Sequence, residues 1–293
     1  MSTYIIFDLD ETLGHFTQLG ILWESIQHVY KKNLNQSYFN CICDLYPHFL
    51  RPSILTILRY LKNVKKKNKN LKIIVYTNNQ GPKSWCNYII NYLENKIKYK
   101  LFDQIVYAYK INGRQIELNR TTHNKTYTDI KNCIQCLSYD KICFIDDQFH
   151  PGMKNNNIYY INVKPYIYNY ELQDLYDIFT ESSCNELICD NLHIVDREKF
   201  HNNIKNYMNT YNFTSKNRIE SELKLDKTIS KKILYHLHKF MKLYLKKPNH
   251  KKSLKKNNKN NNKINNKSDK NTNHKKTKKN IHEYEPEYEP EFE

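Results

Sequence analysis

The chain has 293 residues, 39% of them hydrophobic, and a formal net charge of +17. That is enough apolar material for one sizeable core with residues left for an appendage. No run of about 18 apolar residues occurs, and Met1 to Asp10 has neither the basic start nor the cleavage site of a secretory leader; the expectation is a soluble, intracellular protein, cytoplasmic or nuclear, with no membrane segment.

The charge is unevenly placed. Residues 246–280 hold 14 Lys and one Asp, residues 281–293 hold six Glu, and residues 1–245 are left with +10. Such a body attracts polyanions by salt-sensitive steering, without choosing among phosphorylated peptide, nucleic acid and anionic membrane. The 8 cysteines lie singly or in loose pairs within apolar segments of a chain far longer than a disulfide-stapled domain, so free thiols are expected.

In chain order, the β-branched and aromatic run 4–9 reads as a buried strand. Residues 14–50 have room for one helix and a small flap. A helix over 51–64, a strand over 72–77, a helix over 82–97 and a strand over 104–109 follow, then a helix over 127–137 and strands over 141–146 and 158–163. Strands alternating with helices predict an α/β fold, a doubly wound, mainly parallel five-stranded Rossmann-like sheet. Ligands of such sheets sit beyond the carboxyl ends of the strands. The first domain is placed at residues 1–165. Residues 166–247 read as a helical extension on or beside it, with Asp196 and Thr228 as helix caps ahead of stripes such as Phe200, Ile204, Met208 and Ile233, Leu237, Phe240. Residues 248–293, alternating Lys and Asn and ending in an acidic repeat, read as a disordered tail.

Asp8 and Asp10 stand two apart at the end of the first strand, and a period of two turns both carboxylates to one side. Phosphoryl transfer to an aspartate needs such a pair: one carboxylate attacks phosphorus, and the other protonates the departing oxygen and later activates water. Two anions facing a phosphate would repel it, so a magnesium ion is expected to share Asp8. The strand ending in Thr77 delivers a hydroxyl, with Asn78 and Asn79 next to it, able to hydrogen-bond phosphate oxygens. The strand ending in Asp146 and Asp147 delivers a second acidic pair suited to holding the metal. Lys125, ahead of a predicted helix, supplies a cation for the transferred group; Lys110 and Arg120 are its rivals for that role.

These residues resemble the four motifs of the haloacid dehalogenase-like superfamily, in order: Asp8-Leu-Asp-Glu-Thr-Leu13, Thr77, Lys125 and Asp146-Asp147. Phe7-Asp-Leu-Asp-Glu-Thr-Leu13 and Arg51-Pro52 are most similar to the phosphatases of the RNA polymerase II carboxy-terminal domain and their NLI-interacting-factor-like relatives. The resemblance covers residues 2–163. It implies Asp8 as the phosphoaspartyl nucleophile, Asp10 as acid–base with its backbone carbonyl on Mg2+, Thr77 and Lys125 on the phosphate, and Asp146 and Asp147 completing the metal shell. Two segments depart from that subfamily. Thr77-Asn-Asn-Gln-Gly81 is more similar to polynucleotide 3′-phosphatases and histidinol-phosphate phosphatases, and Gln148-Phe-His-Pro151 stands where the subfamily has Ser-Pro.

The roughly 48 residues between Thr77 and Lys125 leave no space for a large cap, and an open cleft suits a phosphate carried on a macromolecule, protein more than nucleic acid. The expected activity is a phosphatase for phosphoserine or phosphothreonine on a protein segment. The alternatives are end processing of nucleic acid like a polynucleotide 3′-phosphatase, or a catalytically lapsed binding protein that docks polyanions through its basic tail. His123 and His150 read as solvated loop residues, and Cys133 and Cys136 as core filling rather than a zinc site.

Overall fold

The computed structural model describes residues 2–31, 34–211 and 218–245; the expectations for the tail at 248–293 lie outside them. The chain runs β1 (Thr3–Phe7), α1 (Thr17–Tyr30), α2 (Gln36–Leu45), α3 (Ile54–Lys67), β2 (Leu71–Tyr76), α4 (Lys83–Ile97) and β3 (Gln104–Val106). A small hairpin follows, β4 (Lys110–Ile111) and β5 (Arg114–Gln115), then α5 (Tyr127–Ile134), β6 (Lys141–Asp146) and β7 (Ile158–Asn162). Four helices close the described chain: α6 (Leu172–Thr180), α7 (Ser183–Asn191), α8 (Arg197–Met208) and α9 (Glu220–Tyr244).

The five longer strands make one all-parallel sheet in the order β3-β2-β1-β6-β7. Side chains alternate across it, as a period of two demands. Ile5, Phe7, Ile73, Val75, Cys143 and Ile145 enter the larger core, built with α1 to α4 and the last four helices. Tyr4, Ile6, Ile74, Tyr76, Ile142 and Phe144 face the smaller core, closed by Ile130 and Cys133 of α5, with Cys136 just beyond it. Both faces are therefore covered, which is why the central strands read as continuous apolar runs. The fold is the doubly wound, Rossmann-like α/β arrangement.

The chain leaves β1 toward β2 and β3 on one side and returns to β6 and β7 on the other, so the order reverses between β1 and β6. A crevice opens at such a reversal. Residues 14–50 depart from expectation: two helices form, and Trp23 and Phe39 pack edge to face with centroids 5.2 Å apart, making this segment core rather than flap. Thr228 is not a cap. It lies inside α9, its hydroxyl donating to the Lys224 carbonyl at 2.9 Å, because the apolar stripe continues N-terminal to it. α9 lies against β7, where the Tyr159 hydroxyl meets His236 Nδ1 at 2.7 Å and its ring meets Phe240. Packing of α2 on α7 brings Cys41 and Cys184 together, Cα atoms 5.8 Å apart and joined as a disulfide, against the expectation of free thiols. The other six cysteines are free and buried.

Candidate active site

Phe7 pairs with Val75 on one side and Ile145 on the other. The next residue of each strand therefore emerges at one level, and Asp8 hydrogen-bonds back through its N–H to the Ile145 carbonyl at 2.9 Å. After Asp8 the chain turns sharply, with Glu11 in the left-handed region at φ 55°. A non-glycine residue there costs roughly 1 kcal/mol or more and needs neighbours to hold it. Arg51, buried, does so: its Nε donates to the Thr12 carbonyl at 2.6 Å, and its Nη2 to the carbonyls of Glu11 at 2.5 Å and Lys164 at 2.9 Å. Tyr166 N–H donates to the same Glu11 carbonyl. Gly14 permits the close return, since a Cβ there would lie 2.3 Å from the Phe49 carbonyl oxygen.

Lys125 is buried to 2% exposure. Its ammonium contacts Asp8 Oδ1 and donates to Asp146 Oδ2 at 2.7 Å. Burial works against this charge, but Asp8 and Asp146 outweigh it and hold the Lys125 pKa above the ordinary lysine value. Asp8 shows the converse. Burial, reinforced by Asp146, pushes its carboxyl up to about 8 even though Lys125 opposes the shift. Burial also tends to raise Asp146, yet contacts with His150 and Lys125 carry it below its usual value. Asp147 is raised by burial and by Asp146.

Asp8, Asp146 and Asp147 form one group in which a carboxylate oxygen of each lies within 4.8 Å of the others. Three hard oxygens at that spacing suit a small divalent cation. Thr12 braces the third carboxylate, its hydroxyl donating to Asp147 Oδ1 at 3.0 Å while accepting from Asp147 N–H at 3.1 Å. Asp10 stands apart from the trio. Asn79 Nδ2 donates to its Oδ2 at 2.8 Å, and burial raises its carboxyl to about 6 against the lowering effect of Asn79.

Thr77 is buried at the end of β2, its hydroxyl accepting from Asn79 N–H at 2.9 Å, which leaves its own proton to donate. Asn78 turns its carbonyl oxygen to Arg120 Nη2 at 2.7 Å. Arg120 also donates to the Thr77 carbonyl at 3.1 Å and the Tyr107 carbonyl at 2.8 Å. It shapes the loop after β2 rather than competing with Lys125, and Lys110 lies over the Tyr109 ring. Asp8, Lys125, Asp146 and Asp147 are thus in direct contact or within one group, Asp10 is tied to the loop after β2 through Asn79 and lies outside the carboxylate trio it was expected to join, and Thr77 and Asn78 open that loop. Arg51, Thr12, Arg120 and His150 are additions. His123 is exposed, but His150 is drawn in, its Nε2 3.3 Å from Asp146 Oδ1, because the turn after β6 folds back over the carboxylate.

The class defined by fold and site together is a Rossmann-like α/β protein with a carboxylate–lysine centre at the switch point of its sheet. Compared with protein-family models, curated proteins and solved structures, the chain matches none. Among the described residues, no helix is long and apolar enough to cross a membrane.

Proposed function

We propose that the chain is a magnesium-dependent phosphohydrolase of the haloacid dehalogenase-like kind, acting through a phosphoaspartyl intermediate on phosphoserine or phosphothreonine of a protein segment. The observation that carries this reading is the contact of Lys125 with Asp8 beside Asp146 and Asp147, at the ends of neighbouring strands. Mg2+ held by the three carboxylates would keep Asp8 ionised and offset charge on the phosphoryl oxygens. Asp8 attacks phosphorus as the bond to the leaving oxygen breaks, and Asp10 gives that oxygen its proton. Water then attacks the phosphoaspartate while Asp10 takes a proton back, releasing inorganic phosphate and restoring Asp8. Thr77 and Lys125 hold the phosphoryl oxygens through the transfer. An Asp10 pKa near neutrality suits a group that must both give and take a proton. The six free thiols accord with an intracellular setting, cytoplasm or nucleus, and the Cys41–Cys184 disulfide does not.

The test is phosphate release from phosphopeptides by the full chain with Mg2+. Turnover that chelation stops and Asp8→Asn removes is expected. Turnover confined to 3′-phosphorylated oligonucleotides would overturn the protein-substrate reading.

A further inference from the structure

Beside the catalytic turn lies a cleft of about 610 Å3, of a size that receives small ligands or a few residues of a chain. Asp10 and Asn79 stand in its wall, whereas Asp8 does not line it. With Asp10 as the proposed proton donor to the departing oxygen, the leaving group would lie in this cleft.

Its walls mix polar Thr17, Gln27, Asn79 and Ser84 with aromatic side chains, of which Phe16 and Trp23 are almost fully buried. Phe16, Trp23, Trp85 and Tyr88 line it, and three of these rings pack on Phe39 of α2: Trp23 at 5.2 Å, Trp85 at 5.6 Å and Tyr88 stacked at 5.2 Å. The Tyr88 hydroxyl donates to the Leu34 carbonyl at 2.7 Å, which fixes the ring. Gly20 lets the Trp85 indole lie against α1, for a Cβ there would come within 3.3 Å of the indole. The charged residues among those lining the cleft are Asp10 and Glu24, both acidic. An aromatic, acid-rimmed cleft suits an apolar side chain and disfavours further phosphates.

Building on the proposed phosphatase reading, we infer that this cleft binds an aromatic or large aliphatic side chain next to the phosphorylated residue of a protein segment, and that it selects against acidic neighbours. A polynucleotide would place additional phosphates against Glu24.

Both tryptophans of the chain, Trp23 and Trp85, line the cleft. The experiment uses the full chain with Mg2+ and a set of phosphoserine peptides carrying Phe, Leu, Lys or Glu at the flanking positions. Expected is a kcat/KM ratio of Phe to Glu peptides of about tenfold or more, the size that burying an aromatic side chain gives. In Trp85→Ala the ratio should collapse to about twofold or less; being a ratio, it does not depend on how much of the variant folds. Peptide binding to Asp8→Asn should shift tryptophan emission with Phe peptides and not with Glu peptides. A ratio near one in the wild-type chain, or one that Trp85→Ala leaves unchanged, would overturn the inference while leaving the phosphatase reading standing. Hydrolysis of small aryl phosphates with no turnover of any peptide would overturn both this inference and the protein-substrate reading.

Discussion

The Lys125 ammonium contacts the Asp8 carboxylate although 117 positions separate the two in sequence. Both are buried, and Asp146 takes the other side of the same ammonium. Removing one member of a buried ion pair leaves its partner uncompensated, at a cost of about 3–5 kcal/mol. Lys125→Met is therefore expected to lower thermal stability by that order, and Asp8→Asn in the same chain to recover part of it. A thermal-unfolding double-mutant cycle reads this coupling, and additive losses would mean that the two side chains do not share their charge.

Raised carboxyl pKa values fix the sign of a pH effect. Burial raises the folded carboxyl of Asp8, and that of Asp10 to about 6, above an unfolded value of 3.8. Above that value the folded chain binds more protons than the unfolded one, so without a divalent cation these groups make stability fall as pH rises. Mg2+ competes with the same protons, so its stabilising effect should grow from pH 5.5 toward 8. Thermal unfolding with and without Mg2+ measures this, with Asp8→Asn as the reference, for which the increase should be much smaller.

Asn79 lowers the Asp10 pKa through its hydrogen bond. Asn79→Ala should move the Asp10 limb of the kcat/KM–pH profile upward and reduce turnover most for leaving groups that need a proton. An unmoved limb would assign the acid to another residue.

Arg51 joins the turn after β1 to the chain beyond β7 through Glu11, Thr12 and Lys164. Tyr166 lies between the Arg51 and Arg218 guanidinium groups, 5.6 Å from each, and Arg218 pairs with Asp226 of α9. Arg51→Lys loses the planar fork that reaches several carbonyls at once. It should weaken Mg2+-dependent stabilisation about tenfold in apparent affinity, with smaller change in overall fold content by circular dichroism. Unchanged Mg2+ titration would separate the turn from the metal group.

Much of this was legible from local pattern. Central strands buried on both faces must be apolar throughout, so β1, β2 and β6 stand out. The predicted ends of β1, β2 and β7 overshoot at Leu9, Thr77 and Val163, and beyond β1 and β2 the chain leaves the sheet to build the candidate site. β3 is cut to three residues, the stretch Gln104–Val106 that pairs with β2. The helix expected to begin at Arg51 starts at Ile54, and the one expected to reach Leu137 stops at Ile134, because Ser53 and Gln135 adopt left-handed backbone. Asp8, Thr77, Lys125 and Asp147 could be read from strand ends and motif order. Arg51 and Arg120 could not be read as buttresses, since their role consists of hydrogen bonds to backbone carbonyls, which carry no side-chain signature. The aromatic cleft was hidden for the same kind of reason: Trp23, Phe39 and Trp85 meet only when α1, α2 and α4 pack.

The most direct measurement is to mix the full chain with a phosphomonoester and Mg2+, quench in acid and map the phosphoryl group by peptide mass spectrometry. The account predicts an adduct on the peptide carrying Asp8, absent in Asp8→Asn and without Mg2+. Phosphate release that persists in Asp8→Asn, with no adduct on that peptide, would contradict it.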